Sequence, residues 1–506
     1  MMQRSRTVDR GEGSGVLSAA LWLALALVAC LSVVLINGRP LFYFDTVGYI
    51  DQGQSVLRQV GLLAEAPPPA AGTVAATVAE DQGAAGVAPL PEPGAKTVDG
   101  SRSIFYSVLS GALAAMGVLE ALNLLHAVSV IVALWLPMNV AARLYAEPFP
   151  VPVLIAIPVL AATLGSMPFI VAHLMPDVFA PVMILVIATI TAFGRDMRAW
   201  ELLLAFALGS LAVVSHLSHL AIAAAMVPAV FLVGLFLGRG TWWFAPLFAG
   251  ALVVVGFAQQ LTIRTAAEQV GDSEVIIRPF LTARLIEDGP GYDYLESKCP
   301  DPGVATCALY DALQKSDDPM RLTASHILFQ RSEQLGSLQR MPEDAQLGVA
   351  HEQVAFFVDV LRDRPLETVM AFVNNTLEQS TLFSVEMTLP TDSIIARHEG
   401  VEALLTGPFA HGRITADDSW EDGLTDVQSV YYAICLIVVL ALIVRPAGLP
   451  MPLRAFAVTV LLGILANAFV CGGISQPAMR YGARMIWVLP VIAAMLVLFR
   501  SVERAR

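Results

Sequence analysis

The segment Gly38-Arg-Pro-Leu-Phe-Tyr-Phe-Asp45-Thr-Val-Gly-Tyr49-Ile-Asp51 follows directly on a long apolar run. A carboxylate just past a membrane exit can deprotonate or hold an acceptor hydroxyl. The aromatics around it suit the headgroup layer. Asp45 is therefore the candidate catalytic acid or base, and Asp51 a candidate substrate contact. Other unusual polar groups recur later: Arg102 and Tyr106, His173 and Asp177 in His-Leu-Met-Pro-Asp, His216 and His219, Arg284 and Glu287, and Arg480-Tyr481 with Arg484. Arginines can grip a phosphate bidentately. His216 and His219 stand three apart, so they share a helix face. They can be structural, can touch substrate or, least of all, can ligate a metal, which would need further ligands. Asp177 after Pro176 suits a helix N-terminus as well as it suits catalysis. Arg480-Tyr481 suits interfacial anchoring as well as donor binding. Neither Cys-x-x-Cys nor His-Glu-x-x-His occurs.

Membrane helices must position these groups. The chain has 506 residues, 56% of them hydrophobic and only 14% charged, with mean hydropathy +0.67. Soluble domains carry roughly 25% charged residues. Apolar runs long enough to cross lipid recur, and the alternating short strands of a barrel do not. The expected fold is an all-α polytopic membrane protein of about ten transmembrane helices. Arg4, Arg6 and Arg10 place the N-terminus in the cytoplasm. Cys30 ends a lipoprotein-like box, but the apolar run continues to Ile36, so an uncleaved helix is expected.

Arginines set the topology. Holding Arg143, Arg195/Arg198, Arg239, Arg445/Arg454 and Arg500/Arg504/Arg506 in the cytoplasm makes residues 122–142 cross once and 104–120 stay juxtamembrane or re-entrant. Further spans are expected at about 150–166, 176–193, 199–215, 219–237, 241–262, 428–445, 453–470 and 484–499. The organisation is then 1–36, N-terminus and first helix; 37–121, external loop; 122–262, helices two to seven; 263–427, external domain; and 428–506, the last three helices and tail. The connectors assigned to the cytoplasm are plain, whereas every unusual polar cluster falls outside. Ionisable groups at membrane depth need a reason, and a single outward-facing site would supply one.

Within the external loop, 45–60 is predicted to be a short amphipathic surface helix. Residues 63–100, rich in Pro, Ala and Gly, read as a flexible insertion. Residues 263–428 hold 28 of the 43 acids but only 12 of the 30 bases. So acidic a segment suits neither nucleic acid nor an anionic leaflet. A short helix is predicted from Arg278 to the Gly-Pro-Gly turn at 289–291, and helical spacing over 346–384, broken at Arg364-Pro365. Cys299 and Cys307 flank a Pro/Gly turn and are either a disulfide or two unrelated thiols. His398 and His411 are expected to be surface residues.

Three function classes fit: sugar transfer from a lipid phosphate, a polysaccharide polymerase or ligase, and a transporter or scaffold. The first needs a carboxylate, cations against a leaving phosphate and an apolar groove. Transporters tend to show repeated halves and polar groups at the midplane, which this chain lacks.

The arrangement resembles the glycosyltransferase C superfold, which includes protein mannosyltransferases and the lipid A aminoarabinose transferase. Asp45 matches that family's first-loop acid, 46–60 and 104–120 its juxtamembrane helices, and Arg480-Tyr481 its late Arg-Tyr pair. Met175-Pro176-Asp177 and the Arg284–Gly291 stretch are similar to segments of bacterial members of unassigned function. The chain departs from the pattern in having Thr46 where many members carry a second acid, and in its 63–100 insertion. The resemblance implies a polyprenyl-phosphate-linked sugar donor, no bound metal, a bacterial inner-membrane location with both termini cytoplasmic, and Asp45 as base.

Overall fold

The computed structural model describes residues 11–64, 97–145, 149–238, 242–271, 274–330, 337–385, 412–417, 419–445 and 448–504. The expected insertion between 65 and 96, Arg4, Arg6, Arg10, Arg239, Arg506, His398 and His411 lie outside the described residues.

The first apolar run forms α1 (Gly11–Cys30) and α2 (Ser32–Asn37). Gly38 ends α2 in the left-handed region at φ +79°, where a Cβ would be strained. The chain then runs extended beside a later segment. Leu41 N–H donates to Ala172 O at 2.9 Å, and Leu174 N–H donates to Leu41 O at 3.0 Å. Thr46 Oγ1 accepts from Tyr43 N–H and donates to Leu174 O. These bonds fix the start of α3 (Phe44–Gln59) beside the Met175-Pro176-Asp177 turn.

Helix α4 (Ile104–Ala115) packs against α3 rather than running on as a long span. The two helices approach backbone to backbone: a Cβ on Gly111 would lie 2.6 Å from Gln54 N, and one on Gly53 would overlap Ser107 O. Ser107 Oγ donates to Gln52 Oε1 across the contact.

The next helices are α5 (Ala121–Tyr145), α6 (Val151–Thr163), α7 (Met167–Ala172), α8 (Phe179–Phe193), α9 (Ala199–Ser215), α10 (Leu217–Leu237) and α11 (Phe244–Gly271). Helix α8 is apolar on every side and buried almost throughout, as a helix surrounded by other helices must be. At the end of α9 remote from His216, Glu201 is fully buried. It accepts from both Nη atoms of Arg143 (2.5 and 2.9 Å), from Asn139 and from Arg198 N–H. This clamp ties α5 to α9. A lone acid inside an apolar run gave no hint of it.

Helix α11 runs past the expected end at 262, because its last turns (Arg-Thr-Ala-Ala-Glu-Gln) are good helix formers. It leads to β2 (Glu274–Ile276), which pairs in parallel with β1 (Thr97–Asp99), just before α4; neither strand is expected from the sequence. The acidic segment continues through α12 (Phe280–Glu287), α13 (Pro290–Lys298), α14 (Cys307–Leu313), α15 (Ala324–Phe329), α16 (Glu343–Asp363) and α17 (Pro365–Thr381). It has its own core, with Leu285, Leu295, Leu309, Ile327, Val349 and Phe356 buried. The Gly-Pro-Gly turn separates two helices: Gly289 sits at φ +103° and Pro290 opens α13. Arg364 breaks α16 from α17, where the pre-proline position predicts it. A disulfide joins Cys299 to Cys307.

The chain closes with α18 (Glu421–Val444), α19 (Met451–Ala468), a π-helical turn at Phe469–Ser475, α20 (Met479–Ile486) and α21 (Val488–Arg504). Among the described residues, seven helical stretches are long and apolar enough to cross a membrane: Ala121–Tyr145, Pro176–Phe193, Leu217–Leu237, Phe244–Gln269, Glu421–Val444, Met451–Ser475 and Met479–Arg500. The fold is that of a helical protein consistent with several passes through a bilayer.

Candidate functional site

Arg480 and Arg484 were expected in a loop; instead they lie on α20, started after Pro477. Four residues apart, they share one helix face, and both reach Asp177. Arg480 Nε stands 3.1 Å and Arg484 Nη1 3.0 Å from Asp177 Oδ1. Arg480 also reaches the other way, with Nη1 at 3.1 Å from Asp45 Oδ2. On the opposite side of Asp45, Arg102 Nη2 lies 3.0 Å from Oδ1. The result is a chain of alternating charge, Arg102–Asp45–Arg480–Asp177–Arg484, drawn from segments more than 400 residues apart in sequence at the extremes.

Each member has a local anchor. Ser103, next to Arg102, caps α4 by accepting from Tyr106 N–H, and its Oγ donates to Val214 O at the end of α9. Arg484 donates from Nε and Nη2 to Asn467 Oδ1 on α19, at 3.1 and 2.8 Å, and its Nη2 lies 3.0 Å from Cys471 Sγ. Tyr43 lies under the Arg480 guanidinium at 4.5 Å, and Tyr481 faces both guanidinium groups at 5.4 and 5.1 Å. Cations held over aromatic faces gain further attraction.

Exposure is graded along the chain of charges. The Asp45 and Arg102 side chains are 38% and 26% exposed, those of Arg480 and Asp177 are 9% and 5%, and that of Arg484 is 0%. A ligand can therefore meet Asp45 and Arg102, while the Asp177 end is sealed. Burial pushes the Asp45 carboxyl up, but Arg480 and Arg102 outweigh it and hold it below its usual value. With the folded value depressed, the pairing stabilises the fold fully above the unfolded carboxylate range near 4. It is lost only as pH falls through the lower folded value.

No family model, no curated protein and no solved structure matches this chain. The chemistry of the site is therefore read from its own geometry.

The structure brings Asp45, Arg102, Asp177, Arg480 and Tyr481 together. His216 is near them: its Nδ1 accepts from Ser218 N–H and pairs with Ser218 Oγ, which lies 3.4 Å from Arg484 Nη2. His173 stands behind the site, with Nδ1 on Phe169 O and its ring edge-on to Tyr43. The remaining expected residues fall as follows. Asp51 is exposed on α3, one turn past Gly48. Tyr106 is a core residue, fully buried, with its hydroxyl 3.3 Å from His126 Nε2 and its ring against Tyr49. His219 is buried beside His216, with ring centroids 5.3 Å apart, and bonds Ala212 O through Nδ1. Arg284 is occupied inside the acidic domain by Asp288 and Glu287, and Glu287 also accepts from Ala324 N–H. Arg284 and Glu287 thus hold that domain together.

Asn467, Cys471, Tyr43 and Gly48 also belong to the site and are not candidates on sequence grounds. Asn467 had a usable signal, a lone amide in an apolar span. Gly48 makes room for Arg102: a Cβ there would lie 2.7 Å from Arg102 Cζ. Gly48→Leu is expected to push the guanidinium off Asp45. Losing one charge-assisted pair of about 1.5–3 kcal/mol corresponds to tenfold or more. Thermal unfolding in detergent should therefore show a lower Tm for Gly48→Leu than for the wild type; an unchanged Tm would show that the pair adds nothing to the fold.

Proposed function

We propose that the chain is a membrane glycosyltransferase that moves a sugar from a polyprenyl-phosphate donor to an envelope acceptor, with Asp45 as base. The observation that carries this reading is the reachable Asp45 flanked by Arg102 and Arg480. Arg102 and Arg480 supply the cations that a singly charged phosphodiester needs. Arg102 and Arg480 would turn to the phosphate oxygens. Asp45, losing those partners, would then become more basic. It would take the proton of the acceptor hydroxyl as that oxygen attacks the anomeric carbon. The bond from that carbon to the phosphate oxygen breaks, and polyprenyl phosphate leaves with its charge on the arginines. The apolar helices around the cluster would hold the polyprenyl tail.

The same reading takes ten crossings. To the seven long stretches it adds the shorter helices Leu17–Cys30, Pro152–Thr163 and Ala199–Ser215, and leaves Ile104–Ala115 juxtamembrane. The site then opens on the periplasmic side of a bacterial inner membrane, with both termini cytoplasmic. The test is turnover in proteoliposomes against a panel of polyprenyl-phosphate sugars, read as released polyprenyl phosphate. Release with at least one donor supports the proposal; no release with any donor, from protein that binds lipid phosphate, rules transfer out.

A further inference from the structure

Helix α17 has its faces inverted for a domain in water. Its buried positions are the polar Thr368, Asn375, Thr376 and Gln379. Its outward stripe is apolar: Leu366, Val369, Met370, Val373 and Leu377 are each between 45 and 73% exposed. Their spacing of three and four residues keeps them on one side through the whole helix. A solvated helix would carry the opposite pattern. A contiguous apolar face of this kind marks an interface.

The neighbours of α17 indicate what covers it. Its Phe372 ring meets Phe469 at the end of the Met451–Ser475 span, with centroids 6.1 Å apart. Phe469 and Leu465 of that stretch are themselves exposed apolar residues. The stripe thus continues a surface that lipid would cover if that stretch crosses the bilayer. The inner face grips the candidate site. Gln379 Oε1 accepts from Ala478 N–H at 2.9 Å, and its Nε2 donates to Ala478 O at 3.0 Å, two residues before Arg480. Asn375 Nδ2 donates to Asp288 Oδ2, the partner of Arg284.

We propose that α17 lies in the bilayer leaflet on the side of the candidate site, with Leu366, Val369, Met370, Val373 and Leu377 against lipid acyl chains. The external domain is thereby seated on the membrane through the helix that supports Arg480. This rests on the membrane reading of the spans and is independent of the transferase reading.

Nitroxide labels on single introduced cysteines test it in proteoliposomes. The native cysteines are either paired or buried. Met370→Cys, Val373→Cys and Leu377→Cys should collide several-fold more with oxygen than with a water-soluble nickel chelate. Asn374→Cys and Glu378→Cys should show the reverse. Phe257→Cys, exposed on α11, is the lipid control. Nickel-accessible stripe labels beside an oxygen-rich Phe257→Cys label would overturn the proposal while leaving the spans intact. Stripe labels shielded from both reagents would also overturn it, in favour of a protein cover. A nickel-accessible label at Phe257→Cys would instead sink the membrane reading beneath it.

Discussion

Asp45→Asn is expected to lower sugar transfer by about 10²–10⁴-fold, the usual contribution of a positioned base. Asparagine keeps the shape and can still meet one neighbour, but it cannot accept the acceptor's proton. The variant should fold, because Asp45 lies toward the exposed end of the charge chain and Arg480 retains Asp177. Transfer measured in membranes, normalised to protein content, checks this. Activity within a few-fold of the wild type would remove Asp45 from the chemistry, and with it the proposed mechanism. Binding of the donor lipid should persist in the same variant, since the arginines that would hold the phosphate are intact. A loss confined to turnover separates a base from a merely structural acid.

The second large effect is on stability. Asp177→Asn leaves Arg480 and Arg484 buried with less charge to face, and breaking such a buried pair costs about 3–5 kcal/mol. The sealed position of Asp177 makes the site unable to rescue itself with water. Thermal unfolding in detergent should show a large fall in Tm for Asp177→Asn and a much smaller one for Asp45→Asn. If Asp177→Asn with Arg484→Met recovers part of the loss, the two sites are coupled as the geometry requires. Equal effects at Asp45 and Asp177 would contradict the division into a reactive end and a structural end.

Much of the site was legible because membrane proteins keep few ionisable groups and each needs a reason. Asp45, Arg102, Asp177 and Arg480 stood out on those grounds, and the cluster contains all four. What the sequence could not supply was which cation meets which acid. That depends on the Leu41–His173 bridge and on Arg480 and Arg484 sharing a turn of α20. The short Gln-Pro-Ala break before Met479 gave no warning that the helix begins that early. Arg284 misled because its partners, Asp288 and Glu287, are close in sequence: an arginine within a turn of two acids pairs locally. Tyr106 misled because it follows Arg102 closely but lies on the buried face of α4. The long helices were clear from hydropathy. The β1–β2 pairing was not, since three-residue strands carry no periodicity. Nor was the inversion of α17, because an amphipathic pattern states that two faces differ without stating which one meets lipid.

The most direct test of the account is whether the Arg102–Asp45–Arg480 cluster holds a lipid phosphate. Binding of polyprenyl monophosphate to the purified protein in nanodiscs can be measured for the wild type, Arg102→Gln and Asp45→Asn. The wild type and Asp45→Asn, whose arginines remain, are expected to bind, and Arg102→Gln to lose tenfold or more. Equal affinity in wild type and Arg102→Gln, or no binding by the wild type, would contradict it.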